Sequence, residues 1–226
     1  MLLPSDFFDL SRFEHKRLFE GLQFVWDCLK IFPDYLKNNL RPGINSKITD
    51  GVYLQGHDIF IGENTTIEPG TVIKGPAIIG NNVEIRSCAY IRGNVIVGNN
   101  CVIGHASEIK NSIMIDGSNA PHFNYLGDSV LGNNVNLGAG TILSNYKISI
   151  DKSIKIKINN KLYDTGLIKL GAIMGDNSGT GCNAVLNPGT LVGKRSLIYP
   201  LASAHGYIPP DTVVKLRQDI EIKKLR

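Results

Sequence analysis

Counted in sixes, the chain between Ile61 and Ile115 repeats itself. Ile61, Ile67, Ile73, Ile79, Ile85, Ile91, Val97, Ile103, Ile109 and Ile115 carry a β-branched aliphatic residue in one unbroken phase. Apolar residues are about half of average usage, so ten in one phase would arise roughly once in a thousand starts, and the period is a structural signal. Two residues before the later members stand smaller or slimmer side chains: Thr65, Thr71, Ala77, Val83, Ala89, Val95, Cys101, Ser107 and Ile113. Gly follows the aliphatic at Gly62, Gly80, Gly98 and Gly104, and the pairs Asn81-Asn82 and Asn99-Asn100 mark corners. A period of six fits neither an amphipathic helix nor a simple meander. It fits a short strand followed by a turn that needs Gly or Asn in the left-handed region, repeated many times.

The architecture this predicts is all-β: a parallel β-helix in which each six-residue unit forms one flat side of a triangular coil. The large aliphatics point into the prism and stack on their copies above and below, and the small residues face inward near the corners. One coil cannot bury its own interior, so stability comes from stacking. Residues 1–43 differ. Ser11 and Glu14 stand at capping-box spacing. Phe13, Leu18, Leu22, Val25, Trp26 and Leu29 recur at helical spacing until Pro33, and a second short helix fits Asp34–Leu40 before Pro42-Gly43. We expect a helical cap over the open first coil, because end coils expose backbone edges. The β-helix is expected over 44–205. Its period breaks at residues 119–128, restarts with Leu131, Leu137 and Leu143, and breaks again at Tyr146. There an insertion, 147–169, alternates Ile148, Ile150, Ile154, Ile156 and Ile158 with polar residues up to Asn159-Asn160, as a projecting hairpin arm would. Met174, Thr180, Leu186, Val192 and Ile198 resume the column, with Thr180 its polar exception. Residues 206–226 form a basic tail expected to close as a short helix.

Composition narrows the class. A charged fraction of 19% and a hydrophobic fraction of 42% describe an ordinary folded chain, and a net charge of +4 is too mild to point to nucleic acid. No apolar run has the length to cross a membrane, and the start lacks a basic leader with a long apolar run. The four cysteines, Cys28, Cys88, Cys101 and Cys182, show no metal-ligand spacing. Cys88 and Cys101 are expected as small buried residues of the repeat. Reduced thiols and a cytoplasmic location follow.

Interruptions in a solenoid concentrate function on one face. His122 and Tyr125 sit in the first break, Asn145-Tyr146 close the next coil, and Asn136 lies between. At about eighteen residues per coil, His122 and Asn145 are expected on neighbouring rungs, close in space, and Arg92 and Lys110 about one coil apart. A neutral imidazole beside amides and two cations suits a general base acting on an anionic substrate. By spacing alone, His122 is equally well a loop histidine without a role.

The run NAPHFNYLGDSVLGNNVNLGAGTILSNYK resembles the acetyltransferase domain of the bifunctional enzyme that forms UDP-N-acetylglucosamine. Through KNSIMIDGSNAPH and YDTGLIKLGAIMGDNSGTGCN the chain resembles the archaeal-type sugar-phosphate nucleotidylyltransferase/acetyltransferases still more, over roughly residues 50–205. The resemblance implies a left-handed coil, a homotrimer, and acetyl transfer from acetyl-CoA to glucosamine-1-phosphate or another amino-sugar phosphate. It implies His122 as the base that takes the amine proton, with Asn145 and Tyr125 holding the reacting groups. Arg92 and Lys110 would bind the sugar phosphate, with Asn136, Tyr146, Lys152 and Lys155 beside them, and Ala139, Cys182 and Lys194 would meet acetyl-CoA. An open sheet edge offers the pantetheine arm backbone hydrogen bonds. No metal is required for the acyl transfer. The chain departs from the family in three ways. Residues 1–43 stand in place of a nucleotidylyltransferase domain, which would then be a separate partner. The loop carrying Lys152 and Lys155 is one residue longer, and bulky Tyr199-Pro200 stands where the bacterial enzyme has small residues. The competing reading is a non-catalytic trimeric scaffold or regulatory subunit in sugar-nucleotide metabolism. A zinc-dependent carbonic anhydrase on the same prism needs two histidines five residues apart, and His57, His105, His122 and His205 offer no such pair.

Overall fold

A computed structural model of the chain describes residues 2–225. Among the described residues are twenty-six strands of two to four residues, and twenty-four of them stack as a prism with three walls. One wall holds nine parallel strands from Gly43–Ile44 to Tyr207–Ile208, and a second holds eight from Tyr53–Gln55 to Ser203–Ala204. The third consists of ladders of four and three strands, joined by single bridges from Asn136 to Asn119 and to Gly179. The chain visits the third wall, then the second, then the first, on every turn. We call the first the covered wall and the second the open wall.

The predicted column fills the interior. Ile61, Ile67, Ile73, Ile79, Ile85, Ile91, Val97, Ile103 and Ile109 are almost completely buried in one cluster that runs on through Leu126, Leu143, Leu186 and Ile208. Thr180, the polar member, is satisfied there: its hydroxyl accepts from the Gly138 amide at 3.0 Å and pairs with Thr141 Oγ1 at 2.7 Å. The Asn pairs divide their labour. Asn82 and Asn100 take the left-handed turn at φ 53° and 57°. Asn81 Oδ1 accepts from the Glu63 amide and Asn99 Oδ1 from the Asn81 amide, each at 2.7 Å, so the first Asn of each pair stitches one coil to the next.

The phase slips at Met114. The corner from Arg92 to Val95 uses Gly93 and Asn94, whereas the one above it uses Asn111 alone, with φ 45°. The next side is therefore one residue early: Met114, aligned with Val97 and Leu131, enters the column, and Ile115 faces outward. The stretch 119–128 is consequently no interruption. Its strands Asn119–His122 and Tyr125–Gly127 continue the ladders in register, with Ala120 and Leu126 inside. The following corner is shortened in the same way, by Asp128 at φ 48°.

The N-terminal segment lies elsewhere than over the first coil. It runs along the covered wall, where Phe7, Phe8, Leu18, Trp26, Leu29, Phe32 and Leu36 pack on the outward side chains Ile78, Ile96, Ile113, Val130, Ile173 and Leu191. Those residues make this wall apolar on both faces, so it must be covered to be stable. Backbone bonds fasten the plate near the upper coils: the Asp176 amide donates to the Phe7 carbonyl at 2.9 Å and Asn133 Nδ2 to the Asp9 carbonyl at 2.8 Å. Ser11 starts no α-helix. Short 3-10 turns at Lys16–Phe19 and Val25–Asp27 precede one α-helix, Cys28–Asn39, which contains Pro33 instead of ending there. Burial of Leu29, Phe32 and Leu36 on the wall outweighs the lost hydrogen bond. The insertion does not project freely either. Its hairpin, Lys155–Ile158 with Lys161–Asp164, turns at left-handed Asn159-Asn160 and buries Ile154, Ile156 and Ile158 against the plate, while Ile148 and Ile150 stay fully exposed. Coils continue past residue 205 to the strand Val213–Val214, and the described tail beyond it forms no helix. Cys101 is buried as expected, but Cys88 is exposed at a left-handed corner. Among the described residues no helix is long and apolar enough to cross a membrane.

Ile113 is outward-facing yet buried, solely because the plate exists. Ile113→Ala should therefore cost about 2–5 kcal/mol, while Ile148→Ala should change stability by no more than about 0.5 kcal/mol. Paired denaturant titrations would show it, and equal costs would mean that the plate does not pack as described.

Candidate functional site

The open wall presents two outward columns side by side. Successive rungs stack Tyr53, Val72, Tyr90, Glu108, Tyr125 and Ile142 in one, and Gln55, Lys74, Arg92, Lys110 and Gly127 in the other. Alternation along each strand turns these residues out while Leu54, Ile73, Ile91, Ile109 and Leu126 turn in. Arg92 Nη1 donates to Glu108 Oε1 at 2.7 Å, a bond that holds the guanidinium even more firmly protonated.

At the edge of this wall stand the two shortened corners, and here the polar residues converge. Asp128 is nearly buried, and its carboxylate accepts from Asn111 Nδ2 at 2.7 Å, from Lys110 Nζ at 3.4 Å and from Asn145 Nδ2. Three donors, one of them a cation, offset the cost of removing that charge from water. Asn145 sits one rung above Asp128 and also hydrogen-bonds with the Tyr125 phenol. Burial, reinforced by the charges of Glu108 and Asp128, raises the Tyr125 pKa above its ordinary value, while Arg92 and Asn145 pull against that rise. Gly127 forms the floor: a Cβ there would come within 2.8 Å of both Asn145 and the Tyr125 hydroxyl. The insertion is rooted at this point, since the Leu170 amide returns to the Asn145 carbonyl at 3.1 Å and the Gly171 amide to the Asp128 carbonyl at 2.8 Å.

His122 occupies the opposite edge of the same wall, at the corner from the third wall. It is exposed, and the residue stacked on it is Ala139; the Gly140 amide donates to the His122 carbonyl at 3.0 Å. Cys182 follows one rung higher, also exposed. Asn145 does not sit beside His122 in the chain. From Phe123 to Asp128 the face spans roughly 15 Å at about 3.3 Å per residue. Phe123, at φ 52°, takes the left-handed turn next to His122 and lies edge-on to His105 at 5.2 Å. A bulky residue in that region is held against its preference. Asn124, buried in the small-residue column, fixes the corner by accepting from the His122 amide at 3.1 Å and donating to the Gly138 carbonyl at 2.8 Å.

The other candidates scatter. The Asn136 side chain faces out of the third wall, beside a groove of about 390 Å³ that Thr180, Leu197, Tyr199 and Pro200 also line. Tyr146, Lys152 and Lys155 belong to the insertion: Lys152 Nζ lies 4.4 Å from the Tyr146 ring and donates to the Lys147 carbonyl, and Lys155 reaches Asp151 at 3.4 Å. Lys194 stands at the far corner of the third wall, donating to the Ser5 carbonyl of the plate at 3.1 Å. The fold thus gathers Arg92, Lys110, Tyr125 and Asn145 on one wall, places His122, Ala139 and Cys182 along one edge of it, and leaves Lys194 apart. Sequence reasoning missed Glu108, Asp128 and Asn124. The first two stand one coil from residues already singled out, Arg92 and Asn145, and that register was the available signal. Among the described residues no cluster of three His, Cys, Asp or Glu side chains could hold a metal.

Glu108 sets part of the Tyr125 environment. Glu108→Gln removes a negative charge and frees Arg92, and both changes favour the phenolate. The ultraviolet titration of Tyr125, isolated by difference against Tyr125→Phe, should move to lower pH. An unmoved midpoint would mean that Glu108 does not act on the phenol.

A family model described as the GMPPB C-terminal domain matches residues 73–163. The bifunctional protein GlmU of Methanococcus aeolicus is 36% identical over 201 residues, covering 89% of this chain and 48% of that protein. A bifunctional sugar-1-phosphate nucleotidylyltransferase/acetyltransferase of Sulfurisphaera tokodaii is 39% identical over 89 residues, 39% of this chain and 22% of that one. Among solved structures, the UDP-N-acetylglucosamine acyltransferase of Francisella novicida superposes with a TM-score of 0.53 at 17% identity, over 75% of this chain and 67% of that one, a likeness of fold. The chain spans about half the length, or less, of these curated relatives. By sequence the chain is similar to part of the bifunctional GlmU-type sugar-phosphate nucleotidylyltransferase/acetyltransferases, and it shares the β-helix fold of the Francisella protein.

Proposed function

We propose that the chain is an acetyl-CoA-dependent N-acetyltransferase for an amino-sugar phosphate, with glucosamine-1-phosphate the first acceptor to test. The observation that carries this reading is the open-wall cluster: two cations on adjacent rungs, Arg92 and Lys110, beside a hydrogen-bonded phenol, amide and carboxylate at Tyr125, Asn145 and Asp128. Cations fixed in a row suit a phosphate, and neutral donors next to them suit sugar hydroxyls. The acetyltransferase activity in the name of the Sulfurisphaera relative gives the chemistry.

In this mechanism the sugar amine attacks the thioester carbon as the free base. His122 takes the proton released as the C–N bond forms, and the C–S bond breaks to give CoA. The third-wall groove lined by Gly181, Leu197 and Tyr199 offers apolar surface and strand edges to the pantetheine arm, with Ala139 and Cys182 on the edge towards the open wall. Tyr146, Lys152 and Lys155, at the start of the insertion and in its hairpin, extend the acceptor side, while Asn136 lines the coenzyme groove and Lys194, at the far corner of that wall, meets the far end of the coenzyme. Because His122 and Asn145 lie at opposite edges of one wall, a complete site needs a second prism against it. A homotrimer, in which each chain offers its His122 edge to the Arg92–Lys110 row of the next, satisfies that geometry. A nucleotidylyltransferase activity would then use the product, in the cytoplasm.

Release of CoA with glucosamine-1-phosphate tests the reading directly. His122→Ala should lose about 10²–10⁴-fold in turnover while keeping its melting temperature, since an exposed corner residue contributes little core. Mixing His122→Ala with Lys110→Ala chains should restore activity that neither has alone, because some interfaces then pair intact halves. Absence of CoA release by the wild type would overturn glucosamine-1-phosphate as the acceptor, and absence with every amino sugar tried would overturn catalysis and leave the scaffold reading. Absence of complementation between active-site variants would overturn the shared site.

A further inference from the structure

The cation column is longer than a sugar phosphate needs. Lys74, Arg92 and Lys110 stand on three consecutive rungs of the open wall, directly opposite one another. Like charges in cross-strand register destabilise a sheet, and nothing in the hexad repeat requires them there. Carboxylates answer only two of the three: Glu108 pairs with Arg92 and Asp128 with Lys110. Among the described residues no carboxylate lies within ion-pair distance of Lys74. Its ammonium instead hovers 5.2 Å from the Tyr90 ring centroid, and the Arg92 guanidinium lies 5.8 Å from the same ring. One aromatic ring thus gathers two cations, and among the described residues the Lys74 ammonium has no carboxylate to neutralise it.

Rungs repeat at about 4.8 Å, so the three Cα positions span nearly 10 Å. A single phosphoryl group bridges two neighbouring rungs but cannot reach across three. A second phosphoryl group, joined to the first, would lie between Arg92 and Lys74. One rung beyond Lys74 and Val72 come Gln55 and Tyr53, both exposed, Tyr53 at 59%. An exposed aromatic at the end of a cation row is a stacking platform for a planar base, and the Gln55 amide beside it can both donate to and accept from a base edge. From Tyr125 to Tyr53 the strip covers four rung steps, about 19 Å, the reach of an extended nucleoside diphosphate sugar and well beyond that of a sugar monophosphate.

We propose that the acceptor strip on the open wall extends to a diphosphate and a nucleoside, so that the site takes a nucleoside diphosphate-linked amino sugar, with Lys74 and Tyr90 holding the second phosphoryl group and Tyr53 the base. This rests on the acetyltransferase reading for the sugar end alone; the nucleotide end is testable without turnover. The probes are UDP and UMP, titrated calorimetrically into the full-length protein and into Lys74→Ala and Tyr53→Ala. The wild type should bind UDP about tenfold or more tighter than UMP. Lys74→Ala should collapse that ratio toward unity, whereas Tyr53→Ala should weaken both nucleotides and preserve the ratio. Each variant's melting temperature, unchanged where the exposed Tyr53 and the half-buried Lys74 contribute no core, separates lost contacts from lost folding. Equal binding of UDP and UMP by the wild type, or a ratio unmoved by Lys74→Ala, overturns the proposal. Failure of the protein to release CoA from any acceptor, with the UDP preference intact, would instead overturn the acetyltransferase reading and leave the nucleotide site standing.

Discussion

Every rung of this prism must close a triangle whose interior matches the rung beneath it. That single constraint governs what each position can be. Two inward slots per side admit one large aliphatic and one small residue, the corner between sides admits one or two residues, and the ladder of parallel hydrogen bonds fixes the register. Departures are allowed only where the closure condition is still met. Asn111 and Asp128, each turning a corner alone in the left-handed region, are such places.

The consequences of that local shortening reach across the molecule. It advances the next side by one residue, exchanges Met114 for Ile115 in the core, and turns Ile115 out to face the plate. It also brings side chains inward at the corner: Asp128 is drawn to near burial, where Asn111, Asn145 and Lys110 must satisfy it. One rung higher the same corner opens altogether and releases the insertion between Asn145 and Leu170. The polar cluster, the phase slip and the insertion are one event in the solenoid's geometry, located where the regular repeat has the fewest residues to hold it.

The interior was legible from sequence because closure makes it periodic, and nine isoleucines in phase leave little room for another fold. The Asn pairs were legible for the same reason, each serving a conformational need that few residues meet. What escaped was aperiodic. Ile113 and Ile115 look like column members, and only the one-residue corner reveals that they face outward. The plate's position could not be read because Phe32 or Trp26 advertises burial without naming the surface that provides it; the apolar outward residues Ile96, Ile173 and Leu191 were the missing half of that signal. In the candidate site, Arg92 and Lys110 stood out as charges one coil apart. Asp128 and Asn124 did not, since a lone polar residue at a corner is indistinguishable from an ordinary turn until its partners are known.

The plate decides which surfaces remain for chemistry. Phe7, Trp26, Phe32 and the hairpin isoleucines occupy the covered wall from Ile78 to Leu191, so that wall offers little polar surface to a ligand. The open wall and the third wall keep their outward columns clear of the plate, and every charged or polar residue of the candidate site except Lys194 and the insertion lysines lies on them or on one of the two edges of the open wall. A flat parallel wall, however, encloses nothing: its side chains stand in two rows, and a bound sugar would keep most of its surface in water. Electrostatic preorganisation is strong only where water is excluded. The proposed reaction therefore requires a second surface against the edge of the open wall that carries His122, with the strip from Tyr53 to Tyr125 left open to the acceptor.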